Sequence, residues 1–395
     1  MTPAVEARPR ARVLFVDDEP RVLDGLRRSL RGRRGEWEMS FANSGAEALD
    51  LLADSPHDVV VSDMRMPGMD GAELLTQVSR RYPAVARVVL SGQPELDAAI
   101  KVAIAGHRFL TKPVDADKVA GIIGELTTYT QGPHAGTIRR IAGAVRSLPT
   151  PAPHVAELTA LLGGSDGTLA NLIHAMSHNV GMTAKFLQMA TSPFFCLGAT
   201  AASTDSVVNV LGAPTIRALL DTGEVLWSPP AWGPDVEEQL GQVIRHAVAS
   251  AYLVDSLASP GNRPYAQAAA LLQDVGVFVC LSDPQTPPGI RHRDVGVELL
   301  RLWGLPAPII SAVAERDDEH RASTTGLGIA AAVRAAHLLI QQTELRDPAD
   351  GTHEDELAQL LAHPQLAARP TDWRRAADEA AARAVALFGE AVPEP

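Results

Sequence analysis

The chain has 395 residues, 46% of them hydrophobic and 21% charged, a balance that fits about two or three soluble globular domains and excludes disordered, collagenous and coiled-coil classes. Aromatic residues make up 4%, too few to furnish both the cores and a base-stacking nucleic-acid platform. Up to residue 131 there are 17 basic and 19 acidic side chains, and after it 18 and 28; no region carries the clustered cations of a phosphate-tracking surface, so DNA is not an expected partner. The dense basic run Arg31–Arg34 reads as a solvated turn after a helix. Cys196 and Cys280 show no metal spacing and are expected to be reduced, buried thiols. The N-terminal stretch lacks the basic-then-apolar pattern of a secretory signal, and no continuous apolar run reaches the roughly eighteen residues of a membrane span. A cytoplasmic location without membrane insertion is expected.

From residue 11 to 131 the chain alternates short β-rich apolar runs with amphipathic helical stretches. The runs are 12–16 (RVLFV), 38–42 (EMSFA), 58–62 (DVVVS), 87–91 (RVVLS) and 108–111 (RFLT). Between them Val22, Leu23, Leu26 and Leu30 keep helical spacing, as do Leu74, Leu75 and Val78, then Ile100, Val102 and Ile104. This alternation predicts an α/β doubly wound domain, a parallel sheet flanked by helices, whose ligands sit at the carboxyl ends of the strands. The first run ends in Asp17-Asp18, the third in Asp63, the fourth in Ser91 and the fifth in Lys112-Pro113. Three carboxylates placed together repel unless a hard cation joins them, and oxygen-only ligands favour Mg²⁺. An ammonium and a hydroxyl beside them offer donors to an incoming anion, the pattern of phosphoryl chemistry. Taken singly, an acidic pair at a strand end serves as a helix cap, and Pro67-Gly68 and Asp70-Gly71 as turns. Five polar positions falling on one sheet edge weigh against that.

FVDDEP at 15–20, SDMRMPGMDG at 62–71, LSG at 90–92 and FLTKP at 109–113 resemble the receiver domain of two-component response regulators, which has a flavodoxin-like fold. The resemblance implies that Asp63 is the phosphoryl acceptor and that Asp18 and Asp63 ligate Mg²⁺, with Asp17 acting mainly through water and the Arg65 backbone carbonyl completing the protein ligands. It further implies that Ser91 and Lys112 engage the phosphoryl oxygens, that Lys112-Pro113 is a cis peptide, and that Phe109 stands at the family's aromatic switch position without a tyrosine hydroxyl.

Beyond Gln131 the β-rich runs fade into Ala/Leu periodicity. A connecting helix near 137–147 leads to an entry turn at 148–153, and helical stretches are predicted near 154–162, 168–177, 180–190, 204–211, 213–224, 235–258, 264–274, 292–302, 306–315, 324–343 and 372–388, an all-α domain. Trp227, Trp232 and Trp303, set among apolar neighbours, read as core anchors. His174 and His178 share a helical face, while His292, His320 and His337 read as scattered without a convergent acidic partner.

LPTPAPHVAELTALL from 148, LIHAMSHNVGMTAKFLQMATSPFF to 195, VVNVLGAPTIRALL at 207–220, LLQDVG at 271–276 and HRDVGVELLRLWGLPAPIISAV at 292–313 resemble HDOD domains, catalytically degenerate relatives of HD phosphohydrolases. The resemblance places His246 at the first metal-ligand position of an HD site and puts Gln273-Asp274 where a hydrolase has His-Asp. A neutral amide oxygen is a poor ligand for transition metals, so none is expected in this domain. Val277 stands where cyclic-dinucleotide phosphodiesterases carry a Lys, and Ala314-Glu315-Arg316 lacks the paired histidines some HDOD proteins keep.

The domains predicted are therefore a receiver at 11–131, a linker helix at 132–147, an HDOD domain at 148–345 and a helical extension at 346–395. The expected function is that of a response regulator phosphorylated by a sensor histidine kinase, with an HDOD module that acts on a downstream protein by contact rather than catalysis. Homodimerisation is left open. The alternatives are an HDOD cavity that senses a cyclic dinucleotide, signalled by buried arginines near Asp274, and an active HD-type phosphodiesterase.

Overall fold

A computed structural model of the chain describes residues 10–92, 105–113, 115–128, 133–150, 156, 160–161, 169–191, 204–221, 233–283, 286–316, 327–345, 354–369 and 371–387. The predicted helix around Ile100–Ile104, the entry turn at 151–153, Cys196, Trp227, Trp232 and His320 lie outside these residues. The chain divides into two compact units near Arg146 and Ser147.

The first unit is built on five parallel strands, β1 (Ala11–Val16), β2 (Trp37–Ala42), β3 (Val59–Asp63), β4 (Ala86–Ser91) and β5 (Arg108–Thr111), in the order β2-β1-β3-β4-β5. Each predicted run forms a strand. Val13, Leu14 and Phe15 of β1 and Val59–Val61 of β3 are fully buried, as expected for a parallel sheet covered on both faces. The register pairs Val16 with Ser62, Asp63 with Leu90 and Ser91 with Thr111, which aligns the strand ends and sets the predicted polar residues side by side. Helices α1 (Pro20–Ser29), α2 (Gly45–Asp54), α3 (Gly71–Arg81) and α4 (Ala116–Thr127) flank the sheet. The basic run Arg31–Arg33 is an exposed 3₁₀ turn, as anticipated.

Helix α5 (Ala135–Ala144), the predicted connector, belongs to this first unit. It is held by Arg87 of β4, 1% exposed, whose guanidinium donates to the carbonyls of Gly143 (3.0 Å) and Ala105 (2.8 Å) and contacts Nε2 of His107 at 2.7 Å. Burial pulls the Arg87 guanidinium below its ordinary value, and repulsion from Arg139 and Arg146 adds to it. Arg139 of α5 donates to the carbonyls of Ala84 and Leu126.

The second unit contains helices α6 (Leu169–Ser177), α7 (Val180–Ala190), α8 (Thr204–Asp221), α9 (Pro234–Leu257), α10 (Arg263–Leu272), α11 (Val275–Ser282), α12 (His292–Trp303, up to Leu300), α13 (Ala307–Glu315), α14 (Ile329–Leu345), α15 (Glu354–Leu361), α16 (Pro364–Ala367) and α17 (Trp373–Leu387). No strand occurs among the described residues after Thr111, so an α/β unit is followed by an all-α one, as predicted. Long α9 is the hub and packs against α10, α14 and α17. The predicted stretches 204–211 and 213–224 are indeed parted, within the described span Thr204–Asp221, by a break at Gly212 (φ 74°) ahead of Pro214. One prediction is corrected in detail: residues 275–282, for which no helix is predicted, form α11.

Trp303 is buried as anticipated, whereas Cys280 is half-buried. Among the described residues, 263–282 alone is long and apolar enough to cross a membrane. It is divided between α10 and α11, and Ala266, Ala269, Leu272 and Val275 are packed in the helical core.

Candidate functional site

The carboxyl edge of the sheet gathers the predicted polar residues. Asp17 and Asp18 follow β1, Asp63 closes β3, and one carboxylate oxygen from each lies within 4.8 Å of the others. Asp17 is 1% and Asp63 6% exposed. Two buried acids this close are tolerated because Lys112, just past β5, places Nζ 2.8 Å from Asp17 Oδ2 and 2.7 Å from Asp63 Oδ1. Burial opposes the ammonium, but the hydrogen bonds to Asp17 and Asp63 outweigh it and raise its pKa above the lysine value.

Backbone contacts fix the acids further. Glu19 N–H donates to Asp17 Oδ1 at 3.0 Å, and Arg65 N–H donates to Asp63 Oδ2 at 3.1 Å. Arg65 thus stands beside Asp63. Ser91 ends β4 with its side chain 8% exposed residue-wide, its carbonyl accepts from Lys112 N–H at 2.7 Å, and the Lys112-Pro113 bond is cis. Phe109 is buried within β5 and packs in the sheet core.

The loop after Asp63 is shaped by glycine. Gly68 has φ +79°, and at Gly71 a Cβ would lie 2.0 Å from the Asp63 carbonyl oxygen, so only glycine lets α3 begin against the end of β3. Asp70 then caps α3 by accepting from Glu73 N–H at 2.8 Å. Asp63 is thus presented from a rigid turn. The three carboxylates form an oxygen-only set suited to Mg²⁺. Asp17, Asp18 and Asp63 would hold such a cation, which would supply positive charge for an incoming anion next to Lys112 and Ser91.

The second unit holds the other predicted cluster. His246, in the middle of α9, is 8% exposed; Gln273 is 2% exposed; Asp274 precedes α11 and is paired with Arg316, Nη1 to Oδ1, at 2.6 Å. Gln273, Asp274 and Arg316 edge a cavity of about 460 Å³ lined also by Arg291, His292 and Arg293. The expectation that His337 lacks convergent partners is corrected. Its Nδ1 lies 2.7 Å from His246 Nε2, and His246 Nδ1 lies 2.9 Å from Glu344 Oε2. The fold brings α9 and α14 together across 91 residues of chain, a convergence that no local spacing reveals. His174 and His178 do share a face, with ring centroids 4.5 Å apart, and the Tyr252 hydroxyl bonds to His178.

Comparison with known proteins bears on both units. The model of the response regulator receiver domain matches residues 13–123, and that of the HDOD domain matches residues 148–288. Among curated proteins, the chain is 29% identical over 230 residues to the DNA-binding transcriptional regulator NtrC of Escherichia coli K12, a match covering 53% of this chain and 47% of that protein. It is 40% identical over 106 residues to the hydrogenase transcriptional regulatory protein HoxA of Cupriavidus necator, covering 26% and 21% of the two chains. The chain thus spans about half or less of the length of the curated relatives it matches. A solved signal receiver domain of an HD domain-containing protein from Pseudomonas fluorescens Pf-5 is 31% identical, over 30% of this chain and 94% of that one, with a TM-score of 0.29. The α/β unit with its acidic strand-end cluster accordingly carries a response regulator receiver domain, and the helical unit that follows carries an HDOD domain.

Proposed function

We propose that this response regulator receives a phosphoryl group from a sensor histidine kinase on Asp63 and passes the signal through protein contacts of its HDOD domain. The observation that carries the reading is the Asp17–Asp18–Asp63 cluster balanced by Lys112 beside Ser91. In the transfer, an Asp63 carboxylate oxygen forms a bond to phosphorus as the bond to the donor breaks. Water later cleaves the acyl phosphate and returns the carboxylate and inorganic phosphate. Asp18 and Asp63, with the Arg65 carbonyl, would hold Mg²⁺, with Asp17 acting mainly through water, and the ion would supply charge neutralisation while Ser91 and Lys112 bind the phosphoryl oxygens. Phe109 relays the change by packing. The working boundaries are 11–131 for the receiver, 132–147 for the linker helix, 148–345 for HDOD and 346–395 for the extension, in a cytoplasmic protein.

Acetyl phosphate is expected to label the chain in Mg²⁺, with labelling abolished by chelator and by Asp63→Asn. Stable labelling of Asp63→Asn, or full labelling in chelator, overturns the assignment.

The HDOD domain is read as non-catalytic, since the HD ligand pattern is interrupted at Gln273. The expectation that it binds no transition metal rests on that same residue. A second reading, that the HDOD cavity senses a cyclic dinucleotide without cleaving it, is supported by Arg316 on Asp274 and by Arg291 and Arg293 in the cavity lining. Calorimetric titration with cyclic dinucleotides separates the two: saturable binding lost in Arg316→Ala supports sensing, and absence of binding leaves protein contact as the output.

A further inference from the structure

The helical unit holds a second cavity, of about 390 Å³, that neither phosphoacceptance nor the Gln273–Arg316 cavity uses. It lies between α6, α9 and α10. Val248 and Tyr252 line it from α9. They stand two and six residues past His246, about 200° and 240° around the helix, so the cavity takes the face of α9 turned away from His246. One wall is a row of rings. The His174 and His178 ring centroids lie 4.5 Å apart and those of His178 and Tyr252 5.3 Å, and the Tyr252 hydroxyl donates to His178 Nε2. The floor is aliphatic, made by Val248 with Ala268 and Leu271 of α10, all buried. Close-packed interiors leave few voids larger than a water, whereas an apolar cavity of this volume with a few polar groups is that of a small-molecule site.

Charge decides the class of ligand. Among the described residues, the lining includes no Asp, Glu, Lys or Arg. Asp255, which accepts from Gln267 Nε2 at 3.1 Å, is ion-paired with Arg263 at 3.1 Å, so its charge is compensated. On the far side of Tyr252, Arg383 of α17 holds its guanidinium carbon 4.0 Å from the ring centroid and adds positive potential behind the aromatic wall. At the mouth, the exposed His174 imidazole and the second amide proton of Gln267 are hydrogen-bond donors. Donors at the mouth, no acid in the lining and a cation behind the rings select an anion. The rings and the aliphatic floor select a flat, apolar body for it.

We infer that this cavity binds a small planar aromatic carboxylate, with its ring against Tyr252 and His178 and its carboxylate held at the mouth by His174 and Gln267. A ligand there bridges α6, α9 and α10, three helices of the same unit. This goes beyond the phosphoacceptor reading, which stands or falls independently.

The test uses the full chain and 2-naphthoate, a fluorescent aromatic carboxylate, with 2-naphthamide as its neutral counterpart. Fluorescence titration with 2-naphthoate is expected to give one saturable site per chain, at least about 10-fold tighter than for the amide, the scale of one charge-assisted hydrogen bond. His174→Ala, at an exposed position, should weaken binding by about 10-fold on the same scale. Ala251→Phe, which fills the cavity from α9, should abolish saturation, while Arg291→Ala, in the lining of the other cavity, should leave it unchanged. Circular dichroism establishes which variants fold; if Ala251→Phe does not, the comparison of His174→Ala with Arg291→Ala decides. Absence of saturable binding, equal affinity for acid and amide, unchanged affinity in His174→Ala, or binding lost in Arg291→Ala overturns the inference.

Discussion

Lys112 shows how one residue makes an otherwise unstable arrangement tenable. Its side chain is 24% exposed and bridges two carboxylates that water barely reaches. Because the folded pKa is raised, the stabilisation is fully present below the ordinary lysine value of about 10.4 and is lost as pH rises through the higher folded value. Stability should therefore show no Lys112-dependent loss between about pH 7 and 9 and should fall above that range. Lys112→Ala leaves Asp17 and Asp63 facing each other. A loss of about 2 kcal/mol is expected at neutral pH, less than for a fully buried pair because solvent screens the site, and Mg²⁺ should restore part of it. Thermal melts at several pH values with and without Mg²⁺ check this; a melt unchanged by the substitution, or insensitive to Mg²⁺, contradicts it. The strand-end residues were legible because a parallel register carries the position after each strand to one edge. His337 was not, since its partners lie 63 and 91 positions away on other helices and helix packing leaves no spacing motif.

Among the elements, α5 is defined by close approach as much as by periodicity. A Cβ at Gly143 would lie 2.0 Å from the Pro83 carbonyl oxygen, while at Gly136, on the same helix, it would meet nothing within 4 Å. Gly143→Ala should force α5 away from the loop before β4 and loosen the Arg87–Gly143 bond, at a cost of about 1–3 kcal/mol. Gly136→Ala should be neutral or stabilise the helix by up to about 1 kcal/mol. Denaturant melts and amide exchange over 135–144 distinguish the pair, and equal effects of the two substitutions would contradict the packing account. Periodicity located most helices to within a few residues, but α11 escaped it. Its sequence VGVFVCLS is apolar on every side, and a short uniform run carries no period that separates helix from strand. The break in α8 at Gly212, by contrast, falls between the predicted stretches 204–211 and 213–224.

At the scale of the whole molecule, the proposed function requires that a phosphoryl group at the sheet edge reach the HDOD domain. A ligand shifts a conformational equilibrium only as far as it contacts the two states differently. Phosphoryl oxygens on Asp63 should draw Ser91 toward them and open space for Phe109, already buried in β5, thereby altering β5 and α4. Arg139 of α5 donates to the Leu126 carbonyl at the end of α4, so the change has a covalent and hydrogen-bonded route toward the chain that leads into the HDOD domain. A coupling of about 1–3 kcal/mol would shift populations roughly 5- to 150-fold. Hydrogen exchange of the full chain with Mg²⁺, with and without beryllofluoride as a phosphoryl mimic, tests this route. Changed protection is expected over 105–144 and at surface helices of the HDOD domain, and Arg139→Met should reduce the response beyond α4 while leaving labelling of Asp63 intact. Protection that changes at the acidic cluster alone would mean that phosphorylation does not reach the output domain through α5.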